Sequence, residues 1–292
     1  MYDKLLRFFG PLGLAVFLIV TGCTGCISAK SCPQFYPQYI VPTQSGPFNY
    51  DAFTQVRVEI TMRPSDCFDV ITLETCKDFS DTLPEATVIS TGSGSVVAHE
   101  NGKTYVLTAA HVCWVEPYET VNRGSFLLEI HQASSISLLM YSGEAVPAEV
   151  FYVDEERDVC LMSTQGTWGS PLPIADRDPV KGQKYYNMAA PYSIYSPGMV
   201  LSFDGYFSGY DNEWYFYTIP ARPGSSGSPI ISSHGEIVGI ITMASTVFET
   251  LSIVTTPDSI RDAHRAIEMD VETSDGTGNN RVLFRTVPVA TD

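Results

Sequence analysis

The chain has 292 residues, 44% apolar and 17% charged, enough to bury a sizeable core and outside the range of disordered proteins. Its 33 acidic residues outnumber 17 basic ones, giving a net charge of −16. Such a surface repels phosphate backbones, so nucleic acid is not expected as a partner.

Lys4 and Arg7 open the chain, and an apolar run from Phe8 to Val20 leads to Thr21-Gly22-Cys23. This pattern predicts a signal peptide over residues 1–22, too short for a comfortable span of ~20 apolar residues. Val20-Thr21-Gly22-Cys23 resembles a bacterial lipoprotein box. That resemblance implies lipidation of Cys23 and tethering to a membrane without spanning it. Plain secretion and an uncleaved anchor are the other readings. Either way a secreted or cell-envelope protein, bacterial or phage-encoded, is expected. Residues 23–51, rich in Pro, Ser, Gln and Tyr, read as a tether. The chain has seven cysteines, so with Cys23 lipidated six remain. An even set in an exported chain points to disulfides, and Cys67 and Cys76 are close enough to close a small loop. No Cys/His set has zinc-ligand spacing, and neither metal nor cofactor is expected.

From residue 52 onward short apolar runs alternate with Gly, Pro, Asn and Asp. Val56–Ile60, Ser95–Ala98, Tyr105–Thr108, Phe126–Ile130, Val159–Met162, Ile230–Ser232 and Ile237–Thr242 read as strands. In the first, Val56, Val58 and Ile60 share one face, while Arg57 and Glu59 share the other. Tyr185-Tyr186, Tyr192–Tyr195 and Trp214–Tyr217 read as core and loop packing. Helical periodicity is confined to Pro257–Ile267, where Ile260, His264 and Ile267 fall on one side. Residues 269–292 read as a tail, with Val282-Leu283-Phe284 as a stray strand. Many short strands and one terminal helix define an all-β chain.

Three motifs carry chemistry. In Leu107-Thr108-Ala109-Ala110-His111-Val112, small residues at a strand end let an imidazole turn into a cleft. In Arg157-Asp158-Val159-Cys160, one acid stands at the entrance of an apolar strand and is placed to accept a proton from an imidazole nitrogen. Asp154, Glu155 and Glu156 sit in the charged turn before it and are expected to face water. In Pro223-Gly224-Ser225-Ser226-Gly227-Ser228-Pro229, glycines flank a serine in a tight turn. Such a turn presents the Ser226 hydroxyl and aims the amides of Gly224 and Ser226 at one point, an oxyanion hole.

The order His111, Asp158, Ser226 is that of chymotrypsin and differs from that of subtilisin and the α/β-hydrolases. With Gly92–Val97 ahead of the histidine and Gly235–Ile240 after the serine, the chain resembles the trypsin-like serine peptidase superfamily. Within it, the resemblance is to the bacterial and phage branch related to the high-temperature-requirement proteases. It covers roughly residues 52–256. It implies two antiparallel six-stranded barrels with the active site between them, one over 52–165 and one over 166–268, the latter including a short terminal helix. It also implies a serine endopeptidase acting on polypeptides through an acyl-enzyme. The triad would bring Cys113 and Cys160 together, since each lies two residues beyond a triad member. A substrate pocket is implied at Pro220 and Ala221, walled by Thr242, Met243 and Ala244. No acid stands at Pro220, so Lys or Arg is not expected on the acyl side of the cut. A small or medium apolar residue is expected there, unless Arg222 near the mouth favours an acidic one. Ser225 replaces the aspartate with which digestive trypsins bind their new N-terminus, implying a site that forms without that ion pair. An esterase-type hydrolase and a non-catalytic binding module are the alternative functions.

Overall fold

The computed structural model describes residues 47–69, 84–122, 126–211, 214–245, 247–273 and 283–284, with backbone alone for 65–69, 126, 270–273 and 283–284. The leader, Cys23, most of the tether and Cys76 lie outside the described residues, so neither the lipid site nor a Cys67–Cys76 bridge is addressed.

Seven strands build the first barrel region: β1 (Phe53–Asp69), β2 (Ala86–Glu100), β3 (Lys103–Thr108), β4 (Tyr118–Asn122), β5 (Phe126–Met140), β6 (Ala145–Asp154) and β7 (Val159–Gln165). The pairing β1-β2-β3-β7-β6-β5 closes on itself, because β5 pairs with both β6 and β1. Strand β4 extends β5 outside the ring. A short helix, α1 (Ala110–Cys113), follows β3. Further strands are β8 (Lys184–Ala189), β9 (Tyr195–Ser196), β10 (Met199–Asp211), β11 (Trp214–Tyr217), β12 (Pro229–Ile231), β13 (Ile237–Ala244) and β14 (Ser252–Val254). Here β8-β10-β11-β14-β13-β12 closes through β12–β8 and β10–β11. Closure removes the unpaired edges that an open sheet exposes. The fold is therefore two closed six-stranded antiparallel barrels, the chymotrypsin-like architecture. After helix α2 (Pro257–Thr273), a two-residue strand β15 (Leu283–Phe284) lies parallel to β6, so the stray strand is formed.

The alternation in β1 decides its orientation. Val56 and Val58 are fully buried, and Arg57 and Glu59 are exposed. In β3 and β7 nearly every residue is buried, because both faces are covered. Part of that cover is α2, which touches β2, β6 and β7 of the first barrel and β13 of the second. Its buried stripe is Ile260, Ala263, Ala266 and Ile267, the i, i+3, i+7 pattern of one helix face. Burying each isoleucine stabilises by about 1.5–3 kcal/mol. Thr256 caps the helix, its Oγ1 accepting from the Ser259 amide at 3.3 Å, and Pro257 takes the first turn, where no amide donor is needed. The helix runs six residues past the expected end and belongs to both barrels, not to the second alone.

Packing also starts earlier than residue 52. Phe48 stacks on Tyr50 with centroids 5.4 Å apart and meets Tyr186 edge-on at 5.5 Å, so the last tether residues are part of the folded body. The inter-barrel segment is stitched to both sides, since Leu172 N donates to Val96 O and Ala175 N to Ile237 O, each at 2.9 Å. The second barrel is filled by aromatics. Tyr185 meets Tyr217 edge-on at 5.4 Å, and burial pushes the Tyr217 phenol well above its ordinary pKa.

Among the described residues one disulfide forms, Cys113–Cys160, with Cα atoms 6.6 Å apart and a sequence separation of 47. It ties α1 to β7. Loop-closure entropy for that separation is worth about 4 kcal/mol. The Cys113→Ala, Cys160→Ala double variant is therefore expected to lose several kcal/mol of stability in non-reducing urea titrations; a loss under about 1 kcal/mol would contradict it.

Candidate active site

Each functional side chain is carried by a different element. His111 sits in α1, just after β3 ends at Thr108. Asp158 ends the β6–β7 turn with φ 54°, a left-handed conformation that Asp tolerates better than most residues. That turn is held by Asp154, whose Oδ1 accepts from the Arg157 amide at 3.0 Å. Asp154 is therefore buried, correcting the expectation that it faces water, while Glu155 and Glu156 are exposed as expected. Arg157 reaches across to Asp262 of α2, Nη1 to Oδ2 at 2.9 Å, so the helix braces the turn that carries Asp158.

His111 and Asp158 are joined twice. Nδ1 of the imidazole lies 2.8 Å from Asp158 Oδ2 and 3.0 Å from Oδ1, and the His111 amide donates to Oδ1 at 2.9 Å. The aspartate side chain is 15% exposed and the histidine 49%, so the carboxylate is sheltered while the ring edge stays open.

The serine turn packs against the segments that flank His111. Ser93 N donates to Ser226 O at 2.8 Å, and a side chain on Gly92 would meet both Val112 and Ser226 O. Ser226 Oγ itself donates to Thr242 O at 3.5 Å, and no hydrogen bond joins it to His111.

Two peptide planes in the turn are fixed by their carbonyls. Pro223 O accepts from Tyr192 N at 2.6 Å, and Ser225 O accepts from Ser228 N at 3.0 Å. In a trans peptide the N–H points opposite to the C=O. The amides of Gly224 and Ser226 are thereby turned the other way, and neither has a partner among the described residues. Ser93, fully buried, supports the turn from below: its Oγ donates to Gly224 O at 2.7 Å and accepts from Ala190 N at 3.0 Å. The role of Ser93 was not read from sequence, although the Gly92-Ser93-Gly94 motif contains it. Ser225 is buried and uncharged, and its Oγ accepts from Arg222 N at 3.2 Å.

Gly227 carries φ 81°, and a Cβ there would overlap Thr108 Oγ1 and the Ser93 carbonyl. Backbone and strand end cannot retreat without moving the histidine. Gly227→Ala is therefore expected to cost at least about 2–3 kcal/mol of stability, read from the thermal midpoint. A midpoint within 2 °C of the parent would show that the turn has room.

A model described as a trypsin-like peptidase domain matches residues 92–240, half of the chain, and spans all three motifs. The chain belongs to the trypsin-like peptidase family. Among solved structures it is similar to a serine endoprotease from Yersinia pestis, at 17% identity and a TM-score of 0.51. That match covers 75% of this chain and 64% of that protein, and at this identity it speaks for the fold alone. No curated protein sequence matches significantly.

A trypsin-like peptidase domain takes a polypeptide substrate. Beside Ser226 in this one lies a cleft of about 500 Å³. Of the expected pocket residues, Ala221, Met243 and Ala244 line it; Pro220 and Thr242 do not. In the extended segment Ile219–Ala221, side chains alternate, and Ile219 and Ala221 are the two that turn into the buried core, leaving Pro220 outside. Thr242 sits at a bulge between Ile241 and Met243, and its Oγ1 donates to Ile253 O at 3.2 Å, away from the cleft. Ile241 takes its place, and Arg222 and Glu249 add charge. Glu249 was not singled out in sequence because it lies in a loop with no motif. Among the described residues no cluster of three His, Cys, Asp or Glu side chains is arranged to hold a metal.

Proposed function

We propose that the protein is a serine endopeptidase in which His111, Asp158 and Ser226 form the catalytic triad. The observation that carries this reading is the double His111–Asp158 contact beside a turn whose Gly224 and Ser226 amides are left without partners. Asp158 accepts from Nδ1–H and so leaves Nε2 free as the base. His111 takes the Ser226 proton as Oγ attacks the scissile carbonyl and returns it to the leaving amine. The oxyanion formed meanwhile accepts from the Gly224 and Ser226 amides, each such donor contributing about 3–4 kcal/mol to the transition state. Water then releases the acyl-enzyme by the same route. The uncharged, internally bonded Ser225 supports a turn that stands without a charged N-terminal partner. A fluorophosphonate probe tests the reading. Mass-spectrometric labelling at Ser226 with hydrolysis of fluorescent casein supports a peptidase. Labelling with ester turnover alone supports an esterase, and no labelling supports a binding module.

A further inference from the structure

We propose that the cleft beside Ser226 selects an acidic side chain on the acyl side of the scissile bond, with Arg222 as the specificity determinant and Glu249 as a built-in competitor. The proposal rests on Ser226 being the nucleophile, since that is what makes this cleft the one next to the cut.

The cleft is largely apolar, floored by Ala221 and Ile241 and walled by Met243 and Ala244, and Arg222 is the one cation among its lining residues. The guanidinium is held in place from the backbone: Nη1 donates to Ala221 O at 3.1 Å and to Glu249 O at 3.3 Å. Its other terminal nitrogen, Nη2, faces a carboxylate, Glu249 Oε2 at 3.2 Å. That carboxylate shows what chemistry the site takes, because the chain's own acid occupies it. The two partners differ in one decisive respect. The Arg222 side chain is 32% exposed and the Glu249 side chain 84%. An ion pair with one partner so exposed contributes little and is readily exchanged. A substrate carboxylate delivered into the cleft loses its water and must be paired there; a fixed guanidinium, always charged, supplies two donors in a plane. A lysine or arginine would meet Arg222 directly, and an apolar residue would leave the cation without a counter-charge once the Glu249 carboxylate is excluded. The net charge of −16 repels acidic segments at long range, so the preference must come from this local contact.

The test uses hexapeptides identical except for Glu, Gln, Leu or Lys at the acyl-side position. Binding is measured by fluorescence anisotropy to the full chain carrying Ser226→Ala, which separates recognition from catalysis. The Glu peptide is expected to bind at least tenfold more tightly than the Gln peptide. In Arg222→Gln that ratio falls to near one. Glu249→Gln, a change at an exposed position, tightens Glu binding several-fold. As pH falls through about 4 the Glu/Gln ratio collapses, because the substrate carboxyl takes up a proton. Equal binding of Glu and Gln peptides, or a preference that survives Arg222→Gln, overturns the proposal. So does Glu249→Gln weakening the Glu peptide. Cleavage of the same peptides by the unmodified chain reports separately on the triad: selective binding without cleavage removes the peptidase reading and leaves the acid-selective cleft, and cleavage without selectivity does the reverse.

Discussion

Ser226→Ala is expected to reduce casein hydrolysis by about a millionfold and to abolish fluorophosphonate labelling, with the fold unchanged. The size follows from where the hydroxyl stands. Its one hydrogen bond, 3.5 Å to Thr242 O, contributes little to stability, so removing it leaves the barrels as they are. What disappears is the proposed nucleophile. The amides of Gly224 and Ser226 survive the substitution, since they belong to the backbone, and leave a residual rate above that of water. The measurement is kcat/KM on a fluorogenic peptide pool together with the thermal midpoint. A variant within a hundredfold of the parent, at an unchanged midpoint, would mean that another group performs the attack.

Asp158→Asn is expected to cost about ten-thousandfold in kcat/KM, again with little change in structure. The carboxylate performs two tasks at once, accepting from the His111 backbone amide at 2.9 Å and from the imidazole Nδ1 at 2.8 Å. An asparagine keeps one oxygen for the amide but presents N–H groups to the ring. The imidazole then carries its proton on Nε2, the atom that in the proposed mechanism must be free to receive one from Ser226. The labelling rate at Ser226 should fall in parallel, because probe attack needs the same base. Loss of less than tenfold would assign the aspartate a purely structural role.

The barrels, and the pairing of His111 with Asp158 beside the glycine turn, were legible because both are written locally. Val56 and Val58 alternate with charges, and Gly224 through Gly227 is a turn that few other sequences satisfy. Asp158 was legible for a simpler reason, being the acid placed against the Val159–Met162 run. The surrounding acids were harder. Asp154 looked like a water-facing member of a charged turn, yet it is buried and receives the Arg157 amide; hydration patterns do not reveal which acid a turn folds over. Strand β10 was not singled out because Gly205, Gly209 and exposed polar positions break its apolar pattern. The cleft failed at Pro220 and Thr242 for a related reason. Which side of an extended segment lines a cavity depends on a one-residue bulge near Thr242 that no composition reports. Glu249 and Ser93 act through contacts with segments distant in sequence, Arg222 in one case and Gly224 in the other.

Helix α2 lies across both barrels, burying Ile260, Ala263, Ala266 and Ile267 and meeting the Asp158 turn through Asp262. Neither half of the molecule therefore owns a finished surface. Cut between the barrels, each fragment would bare an apolar bed shaped for the same missing lintel, and the half with the histidine and aspartate would lose the brace on its acid. The seam that carries the proposed triad is thus the least divisible part of the chain, and each barrel needs the other to cover the same helix.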